Sequence, residues 1–358
     1  MNRTKLQEKA DFTNKNIYVG IDTHKKNWNI SLFYETDYLK SFTQPPSVEA
    51  LEKFLCREYP GANYYCGYEA GFFGFSIQRQ LSSKGISCIV VHPADIPHTG
   101  KEKTIKRDAT DSKKIAMALA TNRAVAIHVP ADMTEQDRSL VRYRVRLQCD
   151  ISRLKNRIKG LLFQFGISIP SNYGNSWSMN FVNWLVGLER IEGFARITLN
   201  HMIDQFQRLR ELLLKVNSDL RALQRSARYR RPIELLMSIP GVGPITALTF
   251  LTEIENIKRF SNFRQLNSFV GFYPMEYSSG EYDHKGKITI RKNAHLRRLL
   301  VESSWTAVRL DPAMTQVYQE WKLRMTGKRA IIKIARKLLS RMRYVLIHET
   351  EYVTGIVR

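Results

Sequence analysis

The sequence predicts an α/β N-terminal domain, a long helical, coiled-coil-like middle and a mainly α C-terminal domain. Three observations support this. Strand-like and helix-like segments alternate over the first 130 or so residues. From about residue 134 to 229, apolar residues recur at spacings of three and four among dense charges. After residue 231, short helical stretches return on either side of a Gly-Pro connector. The expected domains are 1–133, 134–230 and 231–358.

The elements follow in order. IYVGID (17–22) is a short apolar run ending in an acid, NWNISLFY (27–34) alternates, and THKK between them supplies a turn. Residues 39–43 make a third strand. Residues 47–59 read as a helix, with Ser47 as N-cap and Glu49 and Glu52 in its first turns. YYCGYE (64–69) is strand-like, residues 75–84 are helical up to Gly85, and ISCIVVH (86–92) is a β-branched buried strand. Residues 111–121 are Ala-rich and helical. Three strands as a meander, then helix, strand, helix, strand, helix, give a mixed sheet. In the middle, residues 139–165 and 191–223 are long amphipathic helices joined by an irregular, Ser/Asn/Pro/Gly-rich segment, 167–179. The pair suggests an antiparallel hairpin or coiled-coil arm. In the last region a helix over 245–254 follows Pro240-Gly241-Val242-Gly243-Pro244. A stretch over 260–270, a Gly-rich polar loop over 277–286 and more helix from 295 complete the chain.

Composition narrows the function. The 358 residues carry a formal charge of +23, from 56 Lys+Arg against 33 Asp+Glu, and 43% are hydrophobic. Disorder is therefore not the default, and the charge calls for a polyanionic partner. Neutralising phosphates releases counterions and gives affinity without sequence information. No run of about 18 apolar residues suggests a membrane span, and the first residues lack the apolar core of a signal peptide. The expectation is a soluble, intracellular protein with no membrane partner. The four cysteines, Cys56, Cys66, Cys88 and Cys149, form no Cys-x-x-Cys pair, so they read as reduced and mostly buried thiols.

Four acids stand where chemistry would need them. Asp22 ends the first strand, Glu69 ends the fourth, and Asp108 and Asp111 open a helix three positions apart, on one face. After such a meander, strands one and four are commonly neighbours, so their C-terminal ends could face that helix. Four converging carboxylates repel one another when empty, and a pair of Mg²⁺ ions would relieve the repulsion while clamping phosphodiester oxygens. Taken singly, each acid reads equally as a loop residue or, for Asp108, a helix cap. The ordered set carries the functional reading. His24 and Lys25 fit an exposed turn better than a phosphate contact.

Basic residues cluster in four places: 142–159 (seven against Asp150 alone), 221–231 (five), 285–298 (six) and 328–343 (seven). One such run is usually a solvated face, whereas four with few acids read as phosphate-tracking surface. The PGVGP segment resembles a helix-hairpin-helix connector in which Gly241 and Gly243 would expose N–H groups to a phosphate; a Gly-rich helix–helix turn is the bland alternative. Ser278-Ser279-Gly280 on its own is only a turn.

Together these stretches resemble the RuvC-like nuclease domain of the RNase H superfamily. They are closer still to the DEDD transposases of insertion sequences. YVGIDTHKKNWNISL (18–32), CGYEAGFFGF (66–75) and KRDATDSKKIAMALA (106–120) carry the N-terminal likeness. SIPGVGPITALTFLTEI (238–254) and the long stretch FSNFRQLNSFVGFYPMEYSSGEYDHKGKITIRKNAHLRRLLVESSW (260–305) carry the C-terminal one. The resemblance implies that Asp22, Glu69, Asp108 and Asp111 are catalytic acids holding Mg²⁺ (or Mn²⁺). It further implies a serine nucleophile, Ser279 with Ser278 as alternative, that forms a phosphoserine link to DNA, since a hydroxyl needs a base or metal beside it. Lys285, Lys287, Arg291, Lys292, Arg297 and Arg298, with Gly241 and Gly243, would contact nucleic acid. The expected partners are donor and target DNA, a structured bridge RNA as guide, and further copies of the chain as a dimer or tetramer. The expected setting is the cytoplasm of a bacterium or archaeon, at the nucleoid.

Three other functions compete. A plain RuvC-like nuclease would cut with metal-bound water and need no Ser279. An actin-like kinase also opens on Val-Gly-Ile-Asp, but the charge and the lack of a second Gly-rich phosphate loop argue against it. A non-catalytic nucleic-acid-binding protein would tolerate loss of all four acids.

Overall fold

The computed structural model describes residues 11–96, 108–173, 177–279 and 282–355, with only the backbone for 108–110, 275–279 and 282–287. Two compact units result, Met1–Val129 and Pro130–Arg358.

The first unit is built on β1 (Asn16–Thr23), β2 (Trp28–Tyr34), β3 (Asp37–Gln44), β4 (Asn63–Glu69) and β5 (Ser87–Val91), with α1 (Val48–Glu58), α2 (Ser76–Ser83) and α3 (Asp108–Ala120). The sheet order is β3-β2-β1-β4-β5. The meander β1–β2–β3 is antiparallel, whereas β1 pairs parallel with β4, and β4 with β5. This is the mixed, RuvC-like sheet expected, with strands one and four adjacent. Ser47 caps α1 by accepting the Ala50 N–H at 3.1 Å. Gly85, at φ +77°, turns the chain out of α2 in a conformation that other residues resist.

The period-two alternation of β1 separates two faces. Ile17, Val19 and Ile21 join Ile30, Leu32, Cys66 and Tyr68 in one core with Leu51, Leu55, Ile77 and Leu81 of α1 and α2. The opposite face carries Gly20 and Gly67, and α3 lies directly on them. A Cβ on Gly20 would come within 1.9 Å of the Ser112 carbonyl oxygen, and one on Gly67 within 3.1 Å of Leu119. Here glycine in a strand marks close approach of another backbone. Of the four cysteines, Cys66 and Cys88 are buried register partners on β4 and β5, Cys149 is half-buried and Cys56 is exposed. Burial raises the Cys66 thiol well above its usual range and pushes Cys88 up to about 12, which keeps both protonated and inert.

The second unit opens with α4 (Asp132–Gln164), α5 (Met179–Val186) and α6 (Gly193–Gln224). The ends of α4 and α6 that meet identify an antiparallel arm. Val141 and Leu147 share a core with Val216 and Leu220, while Ile158 and Leu162 cluster with Leu199 and Ile203. Helices of 33 and 32 residues span about 50 Å. Between the segment expected to be irregular, 167–179, and the second long helix, α5 is an addition. Its eight residues are too few to show a period, and Phe181 and Trp184 hold it in an aromatic cluster with Tyr173, Trp177 and Phe206. The rest comprises α7 (Arg230–Met237), α8 (Pro244–Ile254), α9 (Phe263–Val270), β6 (Pro274–Ser279), β7 (Tyr282–Ile288), α10 (Ala294–Leu310), α11 (Pro312–Lys322) and α12 (Gly327–His348). The base of the arm belongs to this unit because Val141, Leu147, Val216 and Leu220 pack into the same core as α7, α8, α10 and α12.

The polar segment expected as a loop is instead a two-stranded antiparallel ribbon, β6–β7. Its glycines and charges hid an alternation too short to outweigh the turn-like composition. Among the described residues, no helix is long and apolar enough to cross a membrane.

Candidate active site

Asp22 and Glu69 each lie one residue beyond the pair Ile21–Tyr68, at the C-terminal ends of neighbouring parallel strands. By alternation Asp22 shares the face of Gly20, and Glu69 that of Gly67, so both are on the side covered by α3. Switch-point ends of this kind are where open α/β sheets place their chemistry. α3 begins at Asp108 and brings Asp111 one position before Ser112, the residue seated on Gly20. A hydroxyl chain fixes that seat: Ser112 Oγ is 2.8 Å from Ser31 Oγ, itself 2.6 Å from Ser41 Oγ. The hydroxyls are buried in the helix–sheet seam, where a lost partner costs more than at the surface.

Asp22 and Asp111 each have a basic side chain beside them. His24 Nε2 lies 3.1 Å from Asp22 Oδ2, and Lys114 Nζ donates to Asp111 Oδ1 at 3.4 Å, with the carboxylates 19% and 22% exposed. His24 thus bears on the site, while Lys25 sits over the Phe72 ring. Among the described residues, no three acid, histidine or cysteine side chains stand close enough to hold a metal. The Asp108 side chain lies outside the described part. What the structure does bring together is Asp22 and Glu69 on one face, with the helix bearing Asp111 above it. This is an all-oxygen donor set of the kind a hard divalent cation prefers.

In the second unit, Ser279 pairs with Tyr282 and Ser278 with Asp283 across the ribbon. Adjacent strand positions belong to opposite faces, so the two serines are not interchangeable. Gly280 and the side chains of Ser278, Ser279, Lys285 and Lys287 lie outside the described part. The ribbon's base is well defined. Arg297 donates to the carbonyls of Gly271 and Thr289 at 3.0 and 2.6 Å, and Thr289 N–H donates to the Tyr273 carbonyl. Arg297 therefore closes the base of the ribbon, and burial lowers its pKa. Arg298 pairs with Glu302, and Arg291 and Lys292 remain exposed on the segment leaving β7.

Just beyond, Asn293 caps α10 through Leu296 N–H and donates from Nδ2 to Glu253 Oε2 at 2.8 Å. Glu253 is buried on α8 and takes a two-point contact from Arg142 of α4, at 2.7 and 2.8 Å. Burial alone would raise this carboxyl; the Arg142 hydrogen bonds and charge outweigh it and hold the group below the usual range. This network is invisible in the sequence, because Glu253 reads as one polar residue in an apolar helix. In the PGVGP turn the two glycines differ. Gly241, at φ +90°, lies against α10, where a Cβ would meet Ala307 N and Ser303 O at 2.7 Å, whereas Gly243 faces open space. Gly241 thus has a packing role that the phosphate reading did not anticipate.

A five-stranded RuvC-like sheet with acids at the ends of its first and fourth strands and on the covering helix defines a class, the RuvC-like enzymes, to which the DEDD transposases belong. The family described as DEDD_Tnp_IS110, Transposase, matches residues 19–167, and that described as Transposase IS116/IS110/IS902 family matches 233–319. The chain belongs to the IS110 family of transposases. It is 31% identical over 248 residues to y4qE, a transposase by name, from Sinorhizobium fredii; this covers 68% of the chain and 58% of the relative. The transposase for insertion sequence element IS1533 of Leptospira borgpetersenii is 26% identical over 303 residues, covering 81% and 85%. The transposase for insertion sequence element IS1111A of Coxiella burnetii is 26% identical over 259 residues, covering 71% and 68%. The chain thus spans less than two thirds of the first relative and most of the second. The DEDD domain points to a divalent metal requirement, and the family to DNA as partner.

Proposed function

We propose that this chain is the transposase of an insertion sequence, cutting and rejoining DNA with a serine nucleophile and the acids Asp22, Glu69, Asp108 and Asp111, under the guidance of a structured bridge RNA. The observation that carries the reading is the placement of Asp22 and Glu69 at the ends of adjacent parallel strands, on the face that α3 covers. The family match and the net charge of +23 support nucleic acid as the substrate.

Asp22 and Glu69 would hold Mg²⁺ or Mn²⁺ from the sheet, and Asp111 and Asp108 from α3. The bound ion supplies positive charge to phosphate oxygens and lowers the pKa of a nearby hydroxyl. The chain's own residues do the rest. The Ser279 Oγ–P bond forms as the P–O bond to deoxyribose breaks, and the serine proton passes through solvent to the departing oxygen. Rejoining reverses this with the hydroxyl of another strand. Lys285, Lys287, Arg291 and Lys292 hold flanking phosphates, as does Gly243 at the open α8 N-terminus. Arg297 and Arg298, engaged with the ribbon base and Glu302, serve chiefly to shape that segment. The protein works in the cytoplasm, at the nucleoid, as a dimer or tetramer. In that assembly Ser279 of one copy acts with the acids of another.

Excision of the element from a plasmid carrying the gene and its native flanks tests the reading. Asp22→Asn, Glu69→Gln and Asp111→Asn should each abolish excision while the protein stays folded and binds DNA. Unchanged excision in all three would overturn it. A mixture of Ser279→Ala and Asp22→Asn chains should recover part of the activity, and no recovery in proven mixed oligomers would place the site within one chain.

A further inference from the structure

The four basic clusters are not equivalent once folded. In 142–159, Arg142 is taken by Glu253, Arg144 by Asn217 and Arg153 by Asp150, and the half-buried Lys155 covers the rings of Trp177 and Phe206, which leaves Arg146 and Arg157 exposed. In 221–231, Arg228 pairs with Asp137, Arg230 with Glu234, and Arg231 with Glu351, which leaves Arg221 and Arg225 exposed. The cluster on α12 differs. Its inner face, from Ala330 through Ile334, Leu338 and Met342 to Val345, is buried in the core. Arg341, on Asp311, and Arg343, on backbone carbonyls, turn back into the protein, while Lys333 and Lys337 stay exposed beside the Trp321 ring. Lys328, Arg329, Lys333, Arg336 and Lys337 are exposed, and among the described residues none of the five pairs with a carboxylate. The helix from Gly327 to His348 contains no acid at all.

We propose that the outer face of α12 is a docking surface for the phosphate backbone of duplex DNA, separate from the ribbon and from the acids. Arg329, Lys333, Arg336, Lys337, Ser340 and Tyr344 recur at helical spacing and form one stripe. From Arg329 to Tyr344 it runs about 22 Å, the length of six or so base pairs. The contact is to backbone, not to bases. The outer face of α12 carries Lys and Arg but no Asn or Gln, the side chains that read adenine edges, so it is suited to backbone rather than to a base code. Trp321 of α11, beside the stripe, is flanked by Lys333 and Lys337 at 5.0 and 5.9 Å from its centre, which sets two cations above it rather than leaving an open stacking platform, and the Tyr344 ring lies against that of His348, 4.2 Å between centres. An anionic bilayer does not fit, because the apolar side that would insert is already packed. The family's substrate is DNA, and a rigid, evenly charged ridge suits a regular duplex better than the splayed bases of folded RNA.

The test is the salt dependence of binding of the full chain to a labelled 30-base-pair duplex of arbitrary sequence and, in parallel, to an RNA hairpin of similar charge. Lys333→Gln/Arg336→Gln/Lys337→Gln should lower the slope of log Kd against log salt for the duplex by about two to three. The control Lys53→Gln/Arg208→Gln/Lys215→Gln removes equal charge from exposed positions on acid-bearing helices and should change it by less than about one. Lys333→Arg/Lys337→Arg should keep the wild-type slope, and unchanged circular dichroism guards against misfolding. Equal slope losses in the α12 triple and the control would overturn the proposal. So would a loss confined to the RNA hairpin, which would make α12 an RNA surface.

Discussion

Replacing Gly20 by alanine should separate α3 from the sheet and disable the site without touching any acid. The added Cβ would lie 1.9 Å from the Ser112 carbonyl oxygen and 2.6 Å from Ala116 N, both helix backbone that cannot swing aside. Reaching the 3.4 Å at which ordinary contact begins requires α3 to retreat by about 1.5 Å. That retreat strains the packing by about 1–3 kcal/mol and breaks the Ser31–Ser112 hydrogen bond, adding about 1 kcal/mol. Asp111 precedes Ser112 and moves with it, and a misplacement of about 1 Å costs on the order of 100-fold in rate. Gly85→Ala is the control. It has a φ of +77° and open space around it, so it should cost about 1 kcal/mol and leave excision unchanged. Because the chain has two units, stability should be read locally, by peptide-resolved hydrogen exchange over β1 and α3 in increasing urea. Wild-type protection and full excision in Gly20→Ala would refute the reasoning.

Two further outcomes follow from the second unit. Arg142→Met strips Glu253 of its main partner and should destabilise this unit by about 3 kcal/mol, the low end for a buried pair because Arg142 is 38% exposed. The Glu253 carboxyl is held below its ordinary 4.5, so the pair's contribution is full above that pH and is lost as pH falls through the depressed value. In Arg142→Met burial dominates and raises the carboxyl, so that acid-side loss should disappear and the variant should instead gain stability as pH falls, as thermal unfolding between pH 3 and 6 would show. Gly241→Ala should cost about 2 kcal/mol or more by driving α10 away, while Gly243→Ala should be near neutral in stability; equal stabilities would remove the packing role assigned to Gly241.

The N-terminal fold was legible in the sequence because alternation and β-branching in residues 17–34, 64–69 and 86–92 are local signals that the sheet did not override. The positions of Asp22 and Glu69 near strand ends were legible for the same reason, since they close runs whose ends could be read directly. The seat of α3 went unread, although a glycine within each of VGID and CGYE is costly in a strand unless a backbone must come near. The ribbon was missed because its glycines and charges mimic a turn, and α5 because eight residues show no period. The Arg142–Glu253–Asn293 network was out of reach on physical grounds. Its members lie far apart in sequence, and the burial that makes Glu253 need a partner exists only after α4, α8 and α10 have packed. For the same reason a count of cations could not distinguish Arg142, tied to a buried carboxylate, from Lys333, exposed on α12.

The central claim, that serine and carboxylates act on one DNA phosphate, is tested most directly by trapping the covalent intermediate. Wild-type protein, incubated with Mg²⁺, guide RNA and the flanking DNA of its own element, should give a detergent-resistant protein–DNA species. That species should survive in Ser278→Ala and vanish in both Ser279→Ala and Asp22→Asn. Cleavage that proceeds in Ser279→Ala, or an adduct that forms undiminished in Asp22→Asn, would contradict the account.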